Sequence, residues 1–135
     1  LLPQQLPEGY WEGLLERYST GEQAALIGFP LGSFKAGYII ADDAPETVAD
    51  GLKVPLKENT WHYVQNHVTD ILTASEEEIV EAMKLIWKRM KIVMEPSSAV
   101  PLATILKNKE IFAGQRIGVI ITGGNVDLDK LPWNV

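Results

Sequence analysis

Four consecutive residues near the end of the chain are of types that suit ligand binding. Thr122 is followed by Gly123 and Gly124, and Asn125 comes next. A hydroxyl donates and accepts hydrogen bonds, and two glycines let a planar ligand or a phosphate approach the backbone closely. Taken alone, the four residues leave two interpretations open, a ligand-binding loop and a simple tight turn.

The residues in front of this loop predict a buried strand. The segment is residues 116–122, and after Arg116 every residue except Gly118 is β-branched. In open α/β sheets, ligands bind beyond the carboxyl ends of the strands. The end of this segment is therefore the place where such a sheet would hold a ligand.

A long amphipathic helix is predicted over residues 75–93. Ser75 and Glu78 have the spacing of a capping box, in which each side chain bonds the other residue's backbone N–H. The expected buried stripe consists of Ile79, Val80, Met83, Trp87 and Met90.

Shorter patterns predict the other elements. These are an amphipathic helix within residues 1–21, a strand over residues 24–29, loop with short pieces of order over residues 31–57, a strand over residues 67–73, and a helix from Pro96 to about Leu106 with Ser97 or Ser98 as its cap. The order of helices, strand and glycine loop predicts an α/β domain with a mainly parallel sheet flanked by helices.

Composition excludes several classes of function. The chain has 135 residues, 12 Lys and Arg against 18 Asp and Glu, a net charge of −6, and no cysteine. A disulfide framework, a thiolate metal site and a cysteine nucleophile are excluded, and the acidic balance argues against a nucleic-acid partner. No apolar run reaches the roughly 20 residues of a membrane helix, and no basic signal-peptide region opens the chain, so we expect a cytoplasmic protein without a membrane partner. The length suits one domain or one part of a larger enzyme.

Several segments, in this order, resemble the C-terminal part of one enzyme family. The segments are residues 33–37, 45–51, 71–91, 95–99 and 121–127. They are similar to the serine racemase and serine/threonine dehydratase group of fold-type II pyridoxal-phosphate enzymes, which includes 3-hydroxyaspartate ammonia-lyases. The resemblance implies an α/β fold like the C-terminal part of the large, tryptophan synthase β-like domain. It divides the chain into an unassigned N-terminal helix and strand, residues 1–30, and the family-like portion, residues 31–135.

The resemblance also implies the residues that would seat the cofactor. Thr122 occupies the position whose side chain bonds the pyridine nitrogen, and Gly123 and Gly124 complete that loop. Glu95 would lie near the ring, and Gly51 would border the active site. A neutral partner leaves the ring nitrogen unprotonated and limits its pull on electrons.

Further expectations concern partners. The substrate implied is serine, threonine or a related small 3-hydroxy amino acid, converted by elimination or racemisation. Lys91 and Asn125 hold positions that contact a nucleotide effector at a subunit interface in some racemases. The resemblance also implies a homo-oligomer or a missing N-terminal portion as partner.

The departures from the family define what this chain lacks. The family's Schiff-base lysine lies far upstream in a Ser-Phe-Lys-x-Arg-Gly segment, and the piece around Lys35 has no such arginine. We therefore assign no catalytic residue and expect that lysine to lie outside this chain. Phe29 and Pro30 replace the Glu-Pro that opens the racemase cation segment, so no metal ligand is assigned. Whether the chain serves an enzyme stays open, the alternative being a truncated, non-catalytic relic or interaction module.

Overall fold

The structure is a computed structural model that describes residues 25–27, 31–40, 47–53, 56–68 and 70–133. The predicted helix within residues 1–21 lies outside these ranges. The elements are β1 (Ala25–Ile27), α1 (Leu31–Ala36), a short 3₁₀ helix (Asp50–Leu52), α2 (Glu58–His67), β2 (Asp70–Leu72), α3 (Glu76–Met90) and α4 (Pro96–Lys107). No helix in the described ranges is long and apolar enough to cross a membrane.

Helix α3 begins with the predicted capping box. The Glu78 N–H donates to Ser75 Oγ over 3.3 Å, and the Ser75 N–H donates to Glu78 Oε2 over 2.7 Å. The bond from the Ser75 backbone and a second one from Lys107 hold the pKa of Glu78 below its ordinary value. The helix ends three residues earlier than predicted, because Lys91 takes a left-handed conformation with φ of 59°.

The main core forms where α3 and α4 pack together. Ile79, Ala82, Met83 and Ile86 form the buried face of α3, and Ala99, Val100 and Ala103 of α4 lie in the same cluster. The predicted stripe is wrong at Met90, which lies in the last turn of α3 with 56% of its surface exposed. Ala82 and Ile86 belong to the stripe instead, because the buried face repeats at i, i+3, i+4 and i+7 from Ile79.

Helix α4 confirms the prediction of a helix from Pro96, but its cap differs. Pro96 stands at the first position, where its missing N–H costs nothing. Glu95 is the cap residue, not Ser97 or Ser98, and no side chain bonds the first turn from that position. Both serines are thereby left for contacts outside the helix.

A second, smaller core lies beside a parallel pair of strands. β1 and β2 pair with Leu26 opposite Ile71, and Ile71 packs with Trp61 and Val64 of α2. The strand predicted over residues 67–73 is shorter, because α2 continues to His67. α1 likewise orders the first six residues of the predicted loop.

The predicted strand over residues 116–122 is not formed in the described structure. No described strand pairs with this segment, and Ile117, Val119, Ile120 and Ile121 are all exposed. A β-strand requires a neighbour for its N–H and C=O groups, and the described part of the chain supplies none at this position.

Candidate functional site

The first turn of α4 holds the glycine loop that the sequence singled out. Ser98 is 2% exposed, and its Oγ accepts the N–H of Thr122 over 3.1 Å and the N–H of Gly123 over 3.0 Å. The hydroxyls of Ser98 and Thr122 lie 3.0 Å apart and share a hydrogen bond. The Glu95 N–H donates to the Gly123 carbonyl over 3.1 Å. Four bonds thus fix the loop to one end of the helix.

The Glu95 carboxylate lies against the same loop. Its Oε2 accepts the N–H of Asn125 over 3.2 Å. A Cβ on Gly123 would lie 2.9 Å from that oxygen, and a Cβ on Gly124 would lie 3.0 Å from the Val93 carbonyl oxygen. Protein atoms thus approach both glycines closely, whereas the sequence suggested the close approach of a ligand.

A second loop meets the turn through Ser97. The Gly51 N–H donates to Ser97 Oγ over 2.8 Å, and a Cβ on Gly51 would stand 2.8 Å from that oxygen. Gly51, Glu95 and Asn125 consequently line one open cleft of about 540 Å³. Thr122 is exposed and stands three residues before Asn125 in the chain, but it is not among the residues that line this cleft.

Sequence reasoning missed the part that Ser97 and Ser98 play, because it treated them as alternative caps. Their contacts lie 46 residues back along the chain for Ser97 and 24 residues ahead for Ser98. The sequence did contain a signal for such contacts. A helix needs one cap residue, so at least one of the two adjacent serines near the start of α4 had to have another role.

The charge of the cleft is uneven. The carboxylates of Asp50 and Asp127 have lysine partners, Lys53 at 2.6 Å and Lys130 at 4.0 Å. The Glu95 carboxylate accepts one backbone N–H, from Asn125, and pairs with no cationic side chain in the described part of the chain. A phosphate is disfavoured beside such a carboxylate, whereas an uncharged ring is tolerated.

The residues that the resemblance linked to a nucleotide effector are not brought together. Asn125 lines the cleft just described, whereas Lys91 lines a separate cleft of about 440 Å³ with Trp87 and Trp133. Lys35 lies in the last turn of α1, exposed, and shows no bond to the residues of either cleft within the described ranges. Those ranges also contain no cluster of three His, Asp or Glu side chains that could hold a metal ion.

Comparison with known proteins defines the class. The family described as pyridoxal-phosphate dependent enzymes matches residues 12–123, and the chain belongs to this family. The predicted membership is confirmed, and so is pyridoxal phosphate as the family's cofactor.

Individual relatives show which members of the family this chain is similar to. The chain is 80% identical over 102 residues to a beta-hydroxyaspartate dehydratase of Paracoccus denitrificans, covering 76% of this chain and 32% of that protein. It resembles the structure of serine racemase from Dictyostelium discoideum with a TM-score of 0.65 and 40% identity, covering 73% of this chain and 32% of the racemase. It also resembles the structure of maize serine racemase with a TM-score of 0.70 and 34% identity, covering 84% of this chain and 37% of that racemase. These likenesses confirm the α/β class, and the chain spans about a third of the length of the curated relatives it matches.

The residues present suit the ring end of pyridoxal phosphate. Thr122 is an exposed residue with an uncharged hydroxyl, and that hydroxyl shares a hydrogen bond with Ser98. A pyridine nitrogen accepts a hydrogen bond from such a group without becoming protonated. The acidic wall formed by Glu95 does not suit the phosphate end, which requires donors from elsewhere.

Proposed function

We propose that this chain is the C-terminal portion of a pyridoxal-phosphate-dependent ammonia-lyase or racemase and that it seats the cofactor ring. The substrate would be a small 3-hydroxy amino acid: serine, threonine or, as the dehydratase relative suggests, 3-hydroxyaspartate. The observation that carries the proposal is the turn of residues 95–98, which bonds the loop of Gly51 through Ser97 and the loop of Thr122 through Ser98.

Each residue would contribute a distinct effect. When bound, pyridoxal phosphate supplies an electron sink for the carbon from which the substrate loses its proton. Thr122 would hold the ring nitrogen with a neutral hydroxyl, so that the nitrogen stays unprotonated. Glu95 would stand beside the ring, and the loops of Gly51 and of Gly123 and Gly124 would border it. No residue of this chain is assigned a proton transfer, because the Schiff-base lysine would come from another part of the enzyme.

The same proposal extends to the architecture. Residues 31–135 would form the C-terminal part of the large domain, and residues 116–122 would be a strand of its mainly parallel sheet. Residues 1–30 would be a helix and strand without an assigned role. The whole enzyme would be a cytoplasmic homo-oligomer without nucleic-acid or membrane partners, and Lys91 and Asn125 would contact a nucleotide effector only where subunits meet.

A chimeric enzyme tests this function. The matched segment of the bacterial dehydratase would be replaced by the corresponding part of this chain, and the product would be assayed with 3-hydroxyaspartate, serine and threonine. We expect release of ammonia and a keto acid from at least one of them, or its racemisation. A folded chimera that binds pyridoxal phosphate but transforms none of the three would contradict the proposal and favour a non-catalytic interaction module.

Variants of this chimera test whether Thr122 contacts the cofactor ring, the contact that we call the ring seat. We expect Thr122→Val to weaken pyridoxal phosphate binding about fivefold, the effect of one lost hydrogen bond. The matched control is Thr73→Val, an exposed threonine outside the cleft, which should leave the affinity unchanged. Equal affinity in Thr122→Val and in the unmodified chimera would overturn the placement of the ring.

A further inference from the structure

Ser98 has more hydrogen-bond partners than a helix cap requires. Its Oγ accepts two backbone N–H groups, from Thr122 at 3.1 Å and Gly123 at 3.0 Å. The same oxygen lies 3.0 Å from Thr122 Oγ1 and 3.3 Å from the Gly123 carbonyl oxygen. All four contacts occur at a side chain that is almost completely buried.

The capacity of a hydroxyl decides the direction of these bonds. A serine Oγ has two lone pairs and one proton. The two backbone N–H groups occupy both lone pairs, so Ser98 has none left to accept the proton of Thr122. Ser98 must therefore be the donor, either to Thr122 Oγ1 or to the Gly123 carbonyl. The Thr122 oxygen is nearer, and the carbonyl already accepts the Glu95 N–H over 3.1 Å.

We propose that Ser98 is a positioning residue that forces the Thr122 hydroxyl to donate its proton outward, toward the ligand. Within the described residues Ser98 is the only partner of that hydroxyl, and it cannot take the proton. An outward donor suits a ring nitrogen that accepts a hydrogen bond. This inference rests on the proposed function for the identity of the ligand, but the direction of the proton follows from the protein alone.

Amide hydrogen exchange in the full chain tests, without a ligand, whether Ser98 Oγ accepts both backbone N–H groups. The direction of the hydroxyl hydrogen bond between Ser98 and Thr122 was derived from that double acceptance. We expect Ser98→Ala to speed the exchange of the Thr122 and Gly123 amides at least about fivefold, because both lose their acceptor. Ser97→Ala is the matched control, and it should speed the Gly51 amide instead. Thr122→Val should leave the Gly123 amide protected, since that bond does not involve the threonine side chain. Unchanged exchange of the two amides in Ser98→Ala, or lost protection of Gly123 in Thr122→Val, would overturn the proposal.

A double-mutant cycle in the chimera tests the effect on the ligand. We expect Ser98→Ala to weaken pyridoxal phosphate binding about fivefold when Thr122 is present and to have no effect in the Thr122→Val background. A loss of the same size in both backgrounds would show a structural role and refute the positioning role. An affinity that Thr122→Val does not change would refute the proposed ring seat, while the exchange data would still decide the direction of the proton.

Discussion

The α3–α4 pair and residues 116–122 are both rich in apolar side chains, but the helix pair buries many of them and residues 116–122 leave theirs exposed. Ile86 of α3 is 4% exposed, whereas Ile120 is 74% exposed. A helix satisfies its backbone hydrogen bonds internally and needs only one covered face, whereas a strand needs neighbours on its edges as well as cover. The helix pair is therefore complete within this chain, and the β-branched segment is suited to a sheet that the described residues do not contain.

The candidate site lies where these two regions meet. Thr122 ends the exposed segment, but Ser98, its partner, belongs to α4. The loop is consequently held from the complete region, and its geometry does not depend on pairing of the β-branched segment. The proposed ring seat therefore rests on contacts within this chain, although the chain spans about a third of its relatives' length.

The largest expected difference compares one substitution in the two regions. We predict that Ile86→Ala lowers the free energy of unfolding by about 2–5 kcal/mol, because it leaves a cavity in the core. Ile120→Ala, with the same chemistry at an exposed position, should change it by less than about 0.5 kcal/mol. Denaturant titrations of both variants measure the contrast. Similar losses would show that residues 116–122 are covered in solution, and the comparison between the regions would fail.

Glycine substitutions compare a closely packed position of the glycine loop with an open position in residues 116–122. A Cβ on Gly124 would lie 3.0 Å from the Val93 carbonyl oxygen, whereas a Cβ on Gly118 would have nothing within 4 Å. We predict a loss of about 1–3 kcal/mol for Gly124→Ala, because the backbone must shift, and about 0.5 kcal/mol or less for Gly118→Ala. Thermal unfolding of the pair provides the measurement, and equal midpoints would contradict the close packing of the loop.

The capping box gives a smaller effect. We expect Ser75→Ala to destabilise the protein by about 1 kcal/mol, since the Glu78 N–H loses its acceptor. Ser97 is unsuitable for comparison because it bonds Gly51, so Thr73→Ala serves as the control. A loss no larger than that of the control would show that the box does not stabilise α3.

The smallest expected effect is on the pH dependence of unfolding. The pKa of Glu78 is lowered by the bond from the Ser75 backbone N–H and then by Lys107, so its charged form is favoured in the folded state. That stabilisation is present above the ordinary glutamate pKa of about 4.3 and is lost as the pH falls through the lowered value. Glu78→Gln keeps the box but not the charge, and we expect it to reduce the loss of stability in acid. The exposed Glu81→Gln controls for removal of a charge from α3, and an equal reduction there would contradict the assignment.

Local sequence predicted the elements whose causes are local. Helix α3 is signalled by its capping box and its apolar spacing, and α4 by the proline at its start. Each of these signals lies within a short stretch of sequence. Helix α2 was not predicted, because only Trp61 and Val64 of its ten residues are buried and the rest show no regular stripe. Contacts such as Ser98 with Thr122 join residues 24 positions apart, and no local pattern specifies them. The resemblance to the family included both serines in its segment 95–99, but it assigned roles only to Glu95 and the glycine loop and none to Ser97 or Ser98.

The central claim is that Thr122, held by Ser98, donates to the ring nitrogen of pyridoxal phosphate. The most direct test is the ¹⁵N resonance of ring-labelled pyridoxal phosphate bound to the chimeric enzyme. We predict an unprotonated nitrogen that accepts a hydrogen bond, with a resonance that moves toward that of the free unprotonated ring in Thr122→Val. A protonated nitrogen, or a resonance that Thr122→Val does not move, would contradict the account.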